Sequence, residues 1–303
     1  MTEIQKLVYE TDNSFFIKRD DLLPFSFGGN KARKAAYFLE DIKDKKSDCI
    51  VTYGSSSSNH CRIIANMAAS SGYKCVIISP LENEETTFNL QMMTFFGAQI
   101  IFCPVSEVSA TIDKTVNRLK KDGYNPYFIM GGGHGNLGTQ AYVDCFSEIT
   151  EYENQNNIKF DYIFHASGTG ATQAGLICGK LLCKSNAEII GISIARRNPR
   201  GGQVVIDSVN SYMQSIGKSG DYSSYVDFAD NYVLDGYGKF NTEIDETIKY
   251  VLIKYGIPLN RTYTGKAFWG MKKYLKEKEI KNKNILFVHT GGTPLFFDYL
   301  RGM

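Results

Sequence analysis

The segment 160-FDYIFHASGTGATQAGLICGKLL-182 changes character twice along its length. Asp161 to Ala166 form a short run rich in β-branched and aromatic residues, the composition of a buried strand. Ser167 to Gly170 are glycines and hydroxyls. From Ala171 onward the apolar residues recur at helical spacing. A strand that passes through glycines directly into a helix is the opening half of a βαβ unit, with its loop at the strand's carboxyl end. Gly168 and Gly170 let successive backbone N–H groups turn inward. The helix that follows adds its own free N–H groups and the positive end of its dipole, and Thr169 and Thr172 add hydroxyls. Such a cup suits a phosphate. The same residues also read as a tight strand–helix turn, or as a GxGxxxAG dinucleotide fingerprint. In that last case Arg196 and Arg197, after the next strand, would grip an NADP 2′-phosphate.

The alternation extends in both directions. "CIVTYG" from Cys49, "KCVIISP" from Lys74, "IIFCPV" from Ile100 and "PYFIMGG" from Pro126 are expected strands, separated by the helical patterns "NHCRIIANMAASSG", "TFNLQMMTFFGAQ" and "TIDKTVNRLKKDG". After the opening segment come the strand "EIIGISIA", the helix "NTEIDETIKYVLIKYG" and the strand "ILFVHTGG". Strands separated by helices predict parallel sheets covered on both faces, hence an α/β fold, and 303 residues suffice for two lobes. The strands end in four polar loops, "YGSSSSNH", "MGGGHGN", "ASGTGATQAG" and "HTGGTP". Ligands of open parallel sheets bind at such ends, so the four loops point to one cleft between two lobes.

Bulk properties narrow the partners. Net charge is +2 without a basic block, which speaks against nucleic acid or an anionic membrane. The Lys-rich stretches Lys114 to Lys121 and Lys272 to Lys283 read as solvated helix faces. Seven cysteines, an odd number without CxxC spacing, read as reduced core thiols of a cytoplasmic protein. The four histidines stand singly, so no metal site is expected. No apolar run approaches the length of a membrane span, and the acidic, polar start "MTEIQKLVYETD" leads us to expect no secretory signal.

One further stretch needs explaining. In 24-PFSFGGNKARK-34 a lysine, Lys31, stands directly behind two glycines and an asparagine. Alone, "GGNK" is a surface turn. Beside a phosphate cup, a serine loop with an asparagine (Asn59) and a late threonine (Thr290), it fits pyridoxal 5′-phosphate (PLP), whose aldehyde forms a Schiff base with lysine. The serine loop has a simpler reading too: Ser58 or Asn59 alone could cap the helix that follows.

In order and spacing, "FGGNKARK", "SSNH", "SGTGATQAGL", "GYG", "YTGKAFWGM" and "HTGG" resemble the PLP-dependent enzymes of the tryptophan-synthase-β class, fold type II. Within it the chain looks most like the group of 1-aminocyclopropane-1-carboxylate (ACC) deaminases and D-cysteine desulfhydrases, from Phe16 to the "HTGGTPLFFDY" that begins at His289. The resemblance implies a larger PLP-binding domain from 1–45 and 145–303, a smaller α/β domain from 46–144, and a homodimer. It implies Lys31 as the Schiff-base lysine and α-proton base, and Asn59 on the cofactor's phenolic oxygen. Ser58 would sit near the substrate carboxylate or reacting carbon. Gly168, Thr169, Gly170, Ala171 and Thr172 would hold the phosphate. Tyr237 and Tyr263 would line the substrate side, and Thr264 and Thr290 would lie near the pyridine nitrogen. The chain departs from relatives in "DDLLPFSFGGNK", in "SSSSNH" where "IQSN" is usual, and in the missing Asp-Pro before Tyr263.

In the ACC deaminases the positions matching Thr264 and Thr290 carry glutamate and leucine, whereas the desulfhydrases have threonine at both, as here. The expected activity is therefore α,β-elimination on a small amino acid, with D-cysteine giving pyruvate, sulfide and ammonia. The alternatives are β-replacement on an activated serine, ACC deamination, an NADP-binding oxidoreductase and a non-catalytic PLP-binding protein.

Overall fold

The structure, a computed structural model, describes residues 1–8, 12–81 and 87–301. Its strands are β1 (Ile4–Leu7), β2 (Ser14–Lys18), β3 (Cys49–Tyr53), β4 (Lys74–Pro80), β5 (Gln99–Cys103), β6 (Pro126–Ile129), β7 (Tyr162–Ser167), β8 (Glu188–Ser193), β9 (Asp227–Ala229) and β10 (Asn284–Val288). The helices are α1 (Asn30–Asp44), α2 (Asn59–Ser71), α3 (Phe88–Phe95), α4 (Val108–Lys121), α5 (Asn136–Asn156), α6 (Ala171–Leu182), α7 (Arg200–Ser215), α8 (Thr242–Tyr255), α9 (Thr264–Glu277) and α10 (Thr293–Arg301).

Two sheets result. The larger runs β1-β2-β10-β7-β8-β9 and the smaller β5-β4-β3-β6. Every pairing is parallel except β1 with β2. The expected mixed α/β architecture with two helix-covered sheets is present. The central strands β3, β7, β8 and β10 are buried along nearly their whole length, because helices cover both faces of a parallel sheet. The edge strands β5 and β6 are only partly buried.

Apolar clusters lie on both faces of each sheet. Phe164, Ile190, Ile192, Phe268, Ile285 and Phe287 centre one face of the larger sheet. Tyr142, Phe146, Ile163, Leu176, Leu286 and Val288 centre the other. Ala32, Ala35, Phe38 and Ile42 of α1 join the cluster around Ile50, Ile77 and Ile129, so α1 packs on the smaller sheet although its first turn carries the larger sheet's lysine loop. All seven cysteines are free thiols, six of them buried. The lysines of α4 lie on its solvated side, with Thr115 and Leu119 facing inward. Among the described residues no metal-binding cluster is present, and no helix is long and apolar enough to cross a membrane.

A buried ionic cluster anchors the start of α1. Asp20 accepts from Arg33 at 2.9 Å, from Thr2 at 2.7 Å and from Tyr142 at 2.8 Å, and Glu148 receives Lys18 at 2.5 Å and Arg33 at 2.7 Å. Burial alone would raise the Asp20 carboxyl, but the charges and hydrogen bonds of Arg33, with Lys18 and Thr2, leave it below the usual range. Arg33 is two residues beyond Lys31, so this cluster fixes the helix turn from which Lys31 projects.

Candidate active site

The lysine loop and the last strand's loop are joined backbone to backbone. Asn30 N donates to Thr290 O at 3.0 Å, and Gly29 N to Asp20 O at 2.7 Å. Gly29 has φ +93°, and a Cβ there would lie 2.6 Å from Thr290 O. Close approach thus explains the glycine and brings Lys31 and Thr290 into one cavity. That cavity, of about 350 Å³, lies where the strand-end loops of both sheets meet.

The phosphate-cup residues form its far wall. Gly170 precedes α6 at φ +97°, and no side chain caps that helix, so its first N–H groups are left for a ligand. Asn30 Nδ2 reaches across to Thr172 Oγ1 at 3.1 Å, tying the lysine loop to the cup. Thr169 O pairs with His134 Nδ1 at 3.0 Å. Gly132, beside it, would bring a Cβ to 2.6 Å from the Thr169 side chain. The loop "MGGGHGN" therefore needs its glycines in order to lie against the cup, and Lys31 Nζ donates to Gly132 O at 2.9 Å.

On the smaller-sheet side, Ser55, Ser58, Asn59 and His60 face the cavity. Ser58 caps α2, its Oγ accepting from Cys61 N at 3.2 Å, so the simpler reading of this serine holds as well. Asn59 Oδ1 accepts from Asn89 Nδ2 at 3.0 Å, an orientation that turns the Asn59 amide group toward Gly292. His60 Nε2 pairs with Thr52 Oγ1 at 2.8 Å. Burial, with the charges of Lys31 and Lys34, holds His60 well below its usual pKa and so uncharged. Tyr237 and Tyr263 complete the rim, their hydroxyls 2.6 Å apart.

Two expected residues do not line the cavity. Ala171 is buried under the cup as the first residue of α6. Thr264 is fully buried behind the rim, its Oγ1 accepting from Asn260 N at 3.1 Å and Nδ2 at 3.0 Å. Asn260 Nδ2 also reaches Gly291 O at 3.2 Å, so Thr264 supports the Thr290 loop through Asn260. In that loop, His289 Nε2 pairs with Pro258 O at 2.8 Å, while Nδ1 accepts from Gly291 N at 3.1 Å. This pattern places the ring proton on Nε2.

Two functional candidates, Lys34 and Lys266, go unnoticed in the sequence, and a third, Arg196, reads there only as a dinucleotide contact. Lys34, one turn beyond Lys31, is fully buried; its Nζ has no hydrogen-bond partner among the described residues and lies 5.9 Å from the centre of the Tyr142 ring. Burial and the Lys31 charge push it well below the usual lysine pKa. Its signal was the second lysine of "KARK", at helical spacing from Lys31. Lys266, two residues after Thr264, is fully buried and donates to three carbonyls, those of Ile194 (3.4 Å), Val233 (3.1 Å) and Gly236 (2.9 Å). It holds the strand end beside Arg196 and the turn before Tyr237. Arg196 lines the cavity and binds Gly168 O at 3.1 Å, whereas Arg197 turns away to Leu234 O.

The electrostatics are one-sided. Lys31 and Arg196 face the cavity, and no Asp or Glu is among its described lining residues. Burial lowers Lys31 to about 8, which makes its amine far more available than a surface lysine at neutral pH. A lysine poised as a nucleophile and an uncapped glycine-flanked helix start together suit a phosphate-bearing aldehyde.

Comparisons with known proteins agree with this geometry. The model of the pyridoxal-phosphate dependent enzyme family matches residues 1–291. A D-cysteine desulfhydrase of Yersinia pestis (strain Pestoides F) is 31% identical over 309 aligned residues, covering 98% of this chain and 93% of the relative. The crystal structure of an ACC deaminase homologue superposes with a TM-score of 0.90 at 31% identity, covering 99% of this chain and 92% of the other. Threonine deaminase isoform 2 from Solanum lycopersicum, at 17% identity and a TM-score of 0.66 over 96% of this chain and 82% of its own, shares the fold. The dinucleotide reading of the Gly168 loop is thereby replaced: the chain belongs to the pyridoxal-phosphate dependent enzymes.

Proposed function

We propose that the protein catalyses α,β-elimination on a small amino acid bearing a leaving group on Cβ, in the manner of a D-cysteine desulfhydrase. Cysteine and water would give pyruvate, sulfide and ammonia. The observation that carries this reading is the Lys31 amine, facing a cavity with no carboxylate among its described lining residues. When bound, PLP supplies an aldehyde that captures amines and a ring that accepts electron density from the substrate's α-carbon. Lys31 binds the aldehyde and, once freed, moves the α-proton. Gly168, Thr169, Gly170 and Thr172 hold the phosphate, with Ala171 supplying backbone from beneath. Asn59 orients the phenolic edge of the ring. Ser58 and the serines before it receive the substrate carboxylate at the start of α2. Tyr237 and Tyr263 close the substrate side.

Thr290 offers a hydroxyl to the ring nitrogen, held in place by Asn260 and Thr264. A hydroxyl leaves that nitrogen neutral, whereas a carboxylate would keep it protonated. A hydroxyl at Thr290, with no Asp or Glu among the described lining residues, therefore favours a substrate with an acidic α-proton over opening of a cyclopropane that lacks one. We place the lobes at 1–45 with 145–303 and at 46–144, the cofactor between them, in a cytoplasmic homodimer. The free cysteines fit a reducing compartment.

Pyruvate release from D- and L-cysteine, measured beside 2-oxobutyrate release from ACC, tests the reading. Pyruvate with sulfide and little 2-oxobutyrate is expected. Robust 2-oxobutyrate without pyruvate overturns it, and product that forms only when a second nucleophile is added moves the assignment to β-replacement.

A further inference from the structure

Arg196 is half-buried in the cavity wall, at the end of the strand next to the one that leads into the phosphate cup. Its Nη1 donates to Gly168 O at 3.1 Å. Its other N–H groups have no partner, and no carboxylate pairs with it, among the described residues. Burial, together with the charge of Arg200, lowers its pKa. A guanidinium withdrawn from water without a counter-ion is costly and is retained where an anion arrives to meet it.

The other anions of the reaction already have receptors. On the reading above, the cofactor phosphate takes the uncapped start of α6, and the substrate α-carboxylate takes the serine loop. Neither needs Arg196. Its planar fork matches the paired oxygens of a phosphate, sulfonate or carboxylate, and no acid that would repel them is among the described lining residues. We propose that Arg196 forms a subsite for a second anionic group, carried on the side chain of the substrate amino acid. This deepens the proposed function and rests on it: the substrate would be a small amino acid with an acidic substituent at or beyond Cβ.

Equilibrium binding to the holoenzyme tests it, by calorimetry on matched pairs in both stereochemistries: O-phosphoserine against serine, and cysteate against cysteine. A charge-assisted contact in a half-buried site predicts that the anionic member binds about ten- to a hundredfold tighter. In Arg196→Met the ratio should collapse toward one, and Arg196→Lys should keep part of it. The cofactor's absorption band, recorded for each protein, reports whether the cup is intact. A ratio near one in the wild type overturns the subsite, as does a ratio that survives in Arg196→Met. If Arg196→Met loses cofactor and weakens both members of each pair equally, Arg196 is a buttress of the Gly168 turn and the proposal fails. Failure of the underlying function looks different: no product from any amino acid, neutral or anionic, whatever the binding ratios.

Discussion

Replacing Lys266 by methionine keeps the length and apolar stem of the side chain and removes only the ammonium. Three carbonyls then lose their donor: Gly236 at 2.9 Å, Val233 at 3.1 Å and Ile194 at the limiting 3.4 Å. A hydrogen bond to a charged group contributes about 1.5–3 kcal/mol, and a buried carbonyl left bare costs about 1–3 kcal/mol. Against this stands the relief of no longer burying a cation, whose cost is visible in the lowering of Lys266 to about 8 by desolvation. The balance is a destabilisation of about 2–4 kcal/mol, or roughly 3–6 °C in melting temperature for a chain of this size. The damage should also be local. Val233 and Gly236 bracket Leu234, which already sits at φ +58°, and Gly236 sits at φ +119°, so this turn depends on its anchor to present Tyr237. KM for the amino-acid substrate should therefore rise several-fold, more than kcat falls, with the cofactor's absorption band kept. Scanning calorimetry and steady-state kinetics on wild type and Lys266→Met provide the assay. A melting temperature within about 1 °C of wild type, together with an unchanged KM, would refute the reasoning.

Gly29→Ala places a methyl 2.6 Å from Thr290 O at φ +93°, and should cost roughly 2–4 kcal/mol with loss of bound cofactor, read by thermal unfolding and absorbance. Because burial lowers Lys31 to about 8, the neutral amine prevails above that pH and the protonated form below it. The rate at which cofactor-free protein recaptures PLP should then climb through a midpoint near pH 8, and a midpoint near 10.5 would contradict the burial argument. Ser58→Ala should cost about 1 kcal/mol through loss of the α2 cap, in addition to its effect on turnover. Asn59→Ala should instead shift the cofactor spectrum, and identical defects in the two variants would remove the division of roles.

The α/β alternation was legible because β3, β4, β7, β8 and β10 are apolar runs bounded by glycines and polar loops, the pattern that two-sided burial imposes. Shorter elements were not legible. β1 and β2 carry a mixed pattern, and β9 has three residues, too few for any period. α7 opens on Arg200-Gly201-Gly202, a poor helix start. Gly201 is there because a Cβ would lie 2.2 Å from the Phe228 ring. The site residues with unusual local chemistry, Lys31 and the Gly168 loop, announced themselves. Residues that act through long-range packing did not. Nothing local says that Lys34 is buried bare, that Thr264 turns to Asn260, or that Arg196 faces the cavity while Arg197 leaves it. The lobe assignment of α1 was equally hidden, since its first turn serves one sheet's loop and its apolar face packs on the other.

The central claim, that Lys31 carries the cofactor in the cavity it shares with the Gly168 loop, is tested most directly by borohydride reduction of the holoenzyme followed by peptide mapping. The account predicts that an absorption band in the region of ~410–420 nm, characteristic of lysine-bound PLP, disappears, and that a single phosphopyridoxyl label is fixed on Lys31. A label on Lys34, Lys266 or any other lysine, with Lys31 unmodified, would contradict it.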